Sequence, residues 1–167
     1  MPCMQARWKG WTNRMQQIRI GTLVGGSDAD RVIPQIIDHG FESFSLTFWQ
    51  STGTTDLADL ADRVRAITDP KGADISSLSV FGNPLTGTGN NADTLASWER
   101  AIDNAHRFGA NLVTGFTGRI VDRPIDESIE TFGKVFGELA RRAADKGVRI
   151  AFENCDMGGT WERGDWN

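Results

Sequence analysis

The chain has 167 residues, of which 39% are apolar and 24% are charged, and its formal net charge is -4 at pH 7. A chain of this length forms one domain that buries about 70% of its unfolded surface, and its acidic balance disfavours a nucleic-acid partner, which usually needs a basic face. No apolar run approaches the roughly 20 residues that cross a bilayer, so we expect no membrane partner. The two cysteines, Cys3 and Cys155, have neither a metal-binding nor a disulfide spacing, which predicts a reduced, cytoplasmic environment.

The first segment of the chain, residues 1–16, is basic and contains two tryptophans, Trp8 and Trp11. It lacks the apolar core of a secretory signal. We predict an irregular N-terminal extension over residues 1–16 and a single domain over residues 17–167.

A unit of about 35 residues then repeats along the chain, and such a period indicates a repeated supersecondary unit. Each unit contains a helical pattern, a glycine and a short apolar stretch. The four glycines are Gly40, Gly72, Gly109 and Gly147. Because glycine readily adopts the left-handed backbone conformation found just past a helix end, these positions predict where the helices stop.

The four helical patterns carry apolar residues three and four positions apart, which predicts one buried face for each helix. In chain order these stripes are Val32, Ile36 and Ile37, then Leu57, Leu60, Val64 and Ile67, then Leu95, Trp98, Ala101, Ile102, Ala105 and Phe108, and finally Ile129, Phe132, Phe136, Leu139 and Ala143. Side chains that can accept bonds from the free amides of a first turn precede them. The predicted helix starts are Asp28, Thr55, Asn91 and Asp126.

Five short apolar stretches alternate with the helices: IRIGTLV, FESFSLTF, ADISSLSVF, ANLVTGF and VRIAFEN. Strands joined through helices run parallel, so the sequence predicts β(αβ)4 with one parallel sheet. Two architectures fit this pattern, a doubly wound open sheet and part of a (β/α)8 barrel. The length favours the open sheet, because a complete barrel needs about 250 residues. A last strand without a covering helix favours part of a larger barrel, because it would otherwise be an exposed edge.

In both architectures ligands bind at the carboxyl ends of the strands. These ends are rich in glycine, aromatic and amide groups, namely 25–27, 47–50, 81–84, 115–118 and 153–156. Aromatic walls with a few hydrogen-bonding side chains suit a small polyhydroxylated ligand. We therefore expect Trp49 and Asn83 to line a pocket, although each could instead be an ordinary turn residue.

Three segments carry a family resemblance: FGNPL at 81–85, ADTLASWERAIDNAHRFGANLVTGFTGR at 92–119 and GVRIAFENCDMGGTWERGDWN at 147–167. They resemble the sugar phosphate isomerase/epimerase family, whose members are xylose isomerase-like TIM barrels. The resemblance extends from about residue 18 to residue 167. It implies that the α/β domain is a partial (β/α)8 TIM barrel, a β(αβ)4 half barrel with parallel strands.

The resemblance also implies an active site. A divalent metal (Mn, Mg or Zn) is expected at the top of the complete barrel, with Glu153 as a metal ligand and as the group that moves a proton next to the carbonyl of a sugar or sugar phosphate. Asn154 is expected to orient a substrate hydroxyl. The loop residues expected to help cover the sugar are Trp161, Glu162 and Arg163.

The other ligands of relatives, an aspartate, a histidine and a second glutamate, come from strands six to eight, which this sequence does not contain. His39 and His106 precede predicted helix ends, at the far side from the strand carboxyl ends. We therefore do not expect this chain alone to hold a metal firmly, and whether it is an enzyme by itself stays open.

Two alternatives accompany the isomerase/epimerase hypothesis. The first is a non-catalytic half-barrel fragment or binding module that self-associates through its open sheet edge. The second is a nucleotide-binding open α/β domain, because GTGNNA at 87–92 fits the pattern G-x-G-x-x-G/A. Asn83, Pro84 and Leu85 intervene between the strand that ends at Phe81 and the first glycine, however, so the tight strand–turn–helix of a dinucleotide site is missing.

Overall fold

The structure is a computed structural model that describes residues 18–154. Its five strands are β1 (Gly21–Gly25), β2 (Ser43–Trp49), β3 (Asp74–Phe81), β4 (Leu112–Gly115) and β5 (Arg149–Phe152). They form one sheet in the order β1-β2-β3-β4-β5, and every neighbouring pair is parallel. A doubly wound sheet needs a reversal of strand order. The sequential order observed here therefore confirms the predicted half barrel, and within residues 18–154 the sheet is not closed.

Some sequence-based predictions concern other parts of the chain. The extension predicted over residues 1–16 lies outside the described residues, and so do the candidates Trp161, Glu162 and Arg163.

Four helices connect consecutive strands: α1 (Ala29–Ile36), α2 (Leu57–Thr68), α3 (Thr94–Asn104) and α4 (Asp126–Asp145). The glycines that follow them, Gly40, Gly72, Gly109 and Gly147, have φ angles of +94°, +67°, +73° and +66°. These left-handed conformations confirm the predicted helix ends. No helix within residues 18–154 combines the length and the apolar character that a membrane span requires.

The start of α2 differs from its prediction by one residue. The N-cap is Asp56 rather than Thr55. Asp56 Oδ1 accepts hydrogen bonds from the amides of Ala58 and Asp59 at 2.9 and 3.1 Å. A carboxylate satisfies two free amides of the first turn here, which a single hydroxyl does less well.

The start of α3 also differs from its prediction. The N-cap of α1 is Asp28, as predicted, but its side chain makes no capping hydrogen bond. The N-cap of α4 is Ile125, and the predicted Asp126 is the first helical residue. The N-cap of α3 is Asp93 rather than Asn91. Asn91 is not available as a cap, because its Oδ1 accepts the backbone N–H of Asn83 at 2.8 Å.

The two faces of the sheet have different surroundings. Neighbouring helices contact each other in the order α1-α2-α3-α4, so all four cover one face, which we call the outer face. Along β2, Phe44, Leu46 and Phe48 lie on this face and are 0%, 0% and 2% exposed. Because successive side chains of a strand point to opposite faces, the residues between them belong to the other, inner face.

The inner face is lined by hydroxyl groups. We define the hydroxyl layer as Ser45, Thr47, Ser77, Ser79 and Thr114. The strand register pairs Ser45 with Ser77 and Thr47 with Ser79, and it pairs Ser79 with Thr114. The interior of a TIM barrel is usually filled by branched aliphatic side chains, so a polar layer distinguishes this sheet.

Within residues 18–154 β5 is an edge strand, and an apolar groove of about 470 Å³ lies between α4 and β5. Its walls include Phe132, Phe136 and Phe152, and the rings of Phe136 and Phe152 meet edge to face with centroids 4.9 Å apart. Gly133 and Gly137 keep the α4 side of the groove shallow. Helices form a continuous outer ring in a complete barrel, so this groove has the position at which a further helix packs.

Candidate functional site

The carboxyl ends of β2 to β5 bring three aromatic residues and one carboxylate into a row at the inner face. Trp49 pairs with Phe81 in the strand register. The rings of Phe81 and Phe116 stack with centroids 4.8 Å apart. Glu153 continues the row on the β5 side, where its backbone N–H donates to the Gly115 carbonyl at 3.0 Å. We call Trp49, Phe81, Phe116 and Glu153 the mouth row.

The members of the mouth row differ in accessibility. Phe81 and Phe116 are buried at 7% and 4% exposure, whereas the Trp49 side chain is 59% exposed. Glu153 is exposed too, and within residues 18–154 it forms no ion pair. The row therefore offers a ligand an open indole and an unneutralised carboxylate.

A residue that the sequence analysis did not select, Gln50, holds Trp49 in place. Gln50 has a φ angle of +62°, which a side chain larger than glycine rarely adopts. Its backbone N–H donates to the Phe81 carbonyl at 2.7 Å, and its carbonyl accepts from the Thr94 hydroxyl at 2.7 Å. Such conformations persist where the surroundings determine them, and they cluster at functional sites. No local sequence signal marks this position, because the constraint comes from two distant segments.

The loop after Gln50 is tied to α3 by one carboxylate. Asp93 accepts hydrogen bonds from the hydroxyls of Ser51 and Ser97 at 2.9 and 3.1 Å, and also from the Arg100 guanidinium. The Arg100 guanidinium, assisted by the two hydroxyls, holds the pKa of the Asp93 carboxyl below its ordinary value. The cluster fixes the β2–α2 loop against the third helix, and thus the base of the mouth row.

Asn83 lies in a different environment from Trp49. It is fully buried, and its Nδ2 donates to the Arg119 carbonyl at 2.7 Å while its Oδ1 accepts the Leu85 N–H at 3.1 Å. Gly118 makes room for this amide, because a Cβ there would lie 2.3 Å from Asn83 Oδ1. Asn83 thus holds the β3–α3 loop against the β4–α4 loop, and its contact with a substrate stays a prediction.

Asn154 follows Glu153 directly and is exposed. Nothing in the described residues engages its side chain in a hydrogen bond. Its expected role, the orientation of a substrate hydroxyl, stays a prediction.

The described residues do not fit a metal ion. Within residues 18–154 no three His, Cys, Asp or Glu side chains come together in a group that could hold one. His39 and His106 lie in the turns that lead to Gly40 and Gly109, at the end of the sheet opposite the mouth row. A hard cation such as Mg²⁺ takes about six oxygen ligands, and Glu153 by itself supplies two.

The sequence matches the family model described as xylose isomerase-like TIM barrel over residues 33–165. No curated protein matches it. The match covers four fifths of the chain, including most of the elements that build the mouth row.

Solved structures share the fold. The 3-keto-D-glucoside 4-epimerase of E. coli is 16% identical with a TM-score of 0.63, over 84% of this chain and 57% of that protein. The D-psicose 3-epimerase of Clostridium cellulolyticum H10, solved with D-tagatose, is 13% identical with a TM-score of 0.62, over 87% and 54%. A xylose isomerase-like TIM barrel protein of Mycobacterium smegmatis, solved with magnesium, is 18% identical with a TM-score of 0.57, over 82% and 55%. The chain thus spans about half the length of these proteins, and the low identities show a common fold alone.

Proposed function

The chain belongs to the xylose isomerase-like TIM barrel family, and from this premise we propose that it is the half barrel of a sugar isomerase or epimerase. The reaction is the transfer of a proton at the carbon next to a sugar carbonyl. The observation that carries this proposal is the mouth row, in which an exposed carboxylate, Glu153, ends a series of aromatic side chains at the strand carboxyl ends.

Each accessible residue at the mouth has a role in this proposal. Glu153 takes the proton from the carbon next to the carbonyl, and in an isomerisation it returns the proton to the neighbouring carbon on the same face of the sugar. An epimerisation would also need an acid on the opposite face, from outside residues 18–154, to return a proton to the same carbon. The exposed indole of Trp49 stacks on the apolar face of the sugar. The Asn154 amide donates to or accepts from a sugar hydroxyl. Asn83 acts through the loops that it holds together.

A divalent ion (Mn, Mg or Zn) would need ligands from outside residues 18–154, because the described residues do not fit one. We assign no step to it. The similar structure solved with magnesium is the support for a metal in the complete fold. The substrate class is a sugar or sugar phosphate, which the sugar epimerases among the similar structures support. The predicted cytoplasmic location stays a prediction.

A direct experiment follows the proton itself. The full-length chain is incubated in D₂O with ketoses such as D-tagatose and with their phosphates, with and without added Mn²⁺, and deuterium incorporation next to the carbonyl is measured by NMR. Glu153→Gln is expected to reduce the exchange by about a hundredfold or more, because general acid–base groups contribute that much. Glu138→Gln, on the exposed side of α4, is the matched control and is expected to exchange like the wild type.

Unchanged exchange in Glu153→Gln would contradict the role of this carboxylate. An absence of exchange in the wild-type chain with every sugar tested would favour the second candidate function, a non-catalytic half barrel that pairs with another copy of itself.

The observation that favours this second candidate is the open edge. Phe152 of β5 is 45% exposed, and Leu23 of β1, at the opposite edge, is 64% exposed. Pairing β5 of one protomer with β1 of its partner would continue the parallel sheet across the two edges. Size-exclusion chromatography with light scattering distinguishes the candidates, because a monodisperse dimer supports pairing and a monomer at all concentrations contradicts it.

A further inference from the structure

Four members of the hydroxyl layer form one continuous chain of hydrogen bonds across three strands. The Ser45 hydroxyl lies 2.7 Å from that of Ser77 and 3.1 Å from that of Ser79. Ser79 continues the chain to the Thr114 hydroxyl at 2.7 Å. Ser77 and Ser79 are buried at 6% and 1% exposure. These hydroxyls satisfy one another, so they need no outside partner to remain buried.

Thr47, the fifth member, differs from the others. It stands between Gly25 of β1 and Ser79 of β3 in the strand register. Its Oγ1 is buried and has no hydrogen-bond partner among residues 18–154. Most buried hydroxyls are hydrogen-bonded, because an unpaired one loses its bonds to water without replacement. An exception of this kind calls for an explanation, and a functional role or a bound water or ion is among the recognised ones.

Open space lies on the β1 side of Thr47. On the β1 side stands Gly25, and a Cβ built there would meet no atom within 4 Å. Two residues further along β2, on the same face, the Trp49 indole is 59% exposed. The open space beside Gly25, the exposed Trp49 indole and the hydroxyl layer therefore adjoin one another on the inner face.

We propose that Thr47, with Ser79 beside it on β3 and Trp49 two residues further along β2, forms a subsite for the uncharged, hydroxyl-bearing end of a sugar. A Thr hydroxyl both donates and accepts, so it matches a sugar hydroxyl in either role. A phosphate would instead be held by cationic side chains or helix N-termini. This inference rests on the proposed function and adds to it the chemistry of the sugar end that enters the hydroxyl layer.

A pair of identical substitutions tests the subsite. Thr47→Val and Thr114→Val both replace a hydroxyl by a methyl group of similar shape on the same face. Thr114→Val removes a hydroxyl that already has a partner, so its melting temperature is expected to fall. Thr47→Val removes an unpartnered hydroxyl, so its melting temperature is expected to stay constant or to rise.

Binding supplies the second measurement. The affinity of the full-length chain for a panel of neutral ketohexoses that includes D-tagatose is measured by calorimetry. Thr47→Val is expected to weaken binding about tenfold, which corresponds to one hydrogen bond.

Each outcome decides. A constant or higher melting temperature together with weaker binding supports the subsite. A fall in melting temperature as large as that of Thr114→Val would mean that Thr47 already has a partner, such as a water, and would overturn the inference. Unchanged affinity in Thr47→Val overturns the subsite while the proposed function stands. An absence of binding by the wild-type chain overturns the proposed function, and the subsite with it.

Discussion

The outer and inner faces of β2 and β3 belong to the same two strands but differ in the chemistry of their side chains. On the outer face, Leu46 and Leu78 are fully buried against the helices. On the inner face, one residue along each strand, Thr47 and Ser79 carry hydroxyls. The period of two along a strand lets one short segment supply both a core and a polar surface. The comparison places the apolar core on the outer face and leaves the polar inner face for the ligand recognition that we propose.

The largest expected effect compares two adjacent residues of β3. Leu78→Ala, on the outer face, is expected to lower the free energy of unfolding by about 2–5 kcal/mol, because it removes apolar contacts and leaves a cavity. Ser79→Ala, on the inner face, is expected to cost only about 1–2 kcal/mol through its lost hydrogen bonds. Urea denaturation monitored by circular dichroism measures both values. An equal loss in the free energy of unfolding for the two variants would contradict the assignment of stability to the outer face.

A smaller and opposite effect is expected at the rim of the inner face. Gln50→Gly is expected to raise the free energy of unfolding by up to about 1 kcal/mol, because glycine adopts the left-handed conformation without strain, and the greater freedom of the unfolded chain offsets part of the gain. Thr54→Gly, in the same loop but at a negative φ, is the control and is expected to destabilise. A loss of stability in Gln50→Gly, measured by the same denaturation, would show that the Gln50 side chain makes a stabilising contact.

The smallest expected effect lies on the helical layer that covers the outer face. Arg142 Nε and Nη2 donate to the carboxylate of Asp103 at 2.9 and 2.6 Å, and this pairing lowers the pKa of the Asp103 carboxyl below its ordinary value of 3.8. The lowered pKa means that the stabilisation is complete above about pH 4 and is lost as the pH falls through the pKa of the folded state. Both side chains are partly exposed, so the contribution is at most about 1 kcal/mol.

The corresponding measurement compares the wild type with Asp103→Asn. The difference in their free energy of unfolding is expected to be largest at pH 7 and low salt, and to shrink both in acid and at high salt. A difference that persists at a pH well below 3 would attribute the effect to hydrogen bonding by the neutral side chain instead of to charge.

The mouth of the half barrel shows where sequence reasoning succeeded and where it stopped. The aromatic and carboxylate residues at the strand ends were predictable, because the strands were predictable and parallel strands end at one edge. The buried hydrogen bond from the Asn83 backbone N–H to Asn91 Oδ1 was not predictable. This bond also explains why Asn91 does not cap α3. The positive φ of Gln50, which depends on hydrogen bonds to Phe81 and Thr94, was not predictable either.

The sequence by itself determined the elements and their order. Glycines such as Gly72 end helices because their own backbone can adopt the left-handed conformation. Apolar residues at helical or alternating spacing define the buried face of an element, and this spacing is visible in the local sequence. The tertiary structure alone decided which polar groups meet. Ser45 reaches Ser77 and Ser79 across more than thirty residues, and the Thr47 hydroxyl finds no partner in the described part of the chain. Such pairings depend on strand register and loop position. Because a register shift of one residue moves every side chain of a strand to the other face, no local sequence pattern determines these pairings.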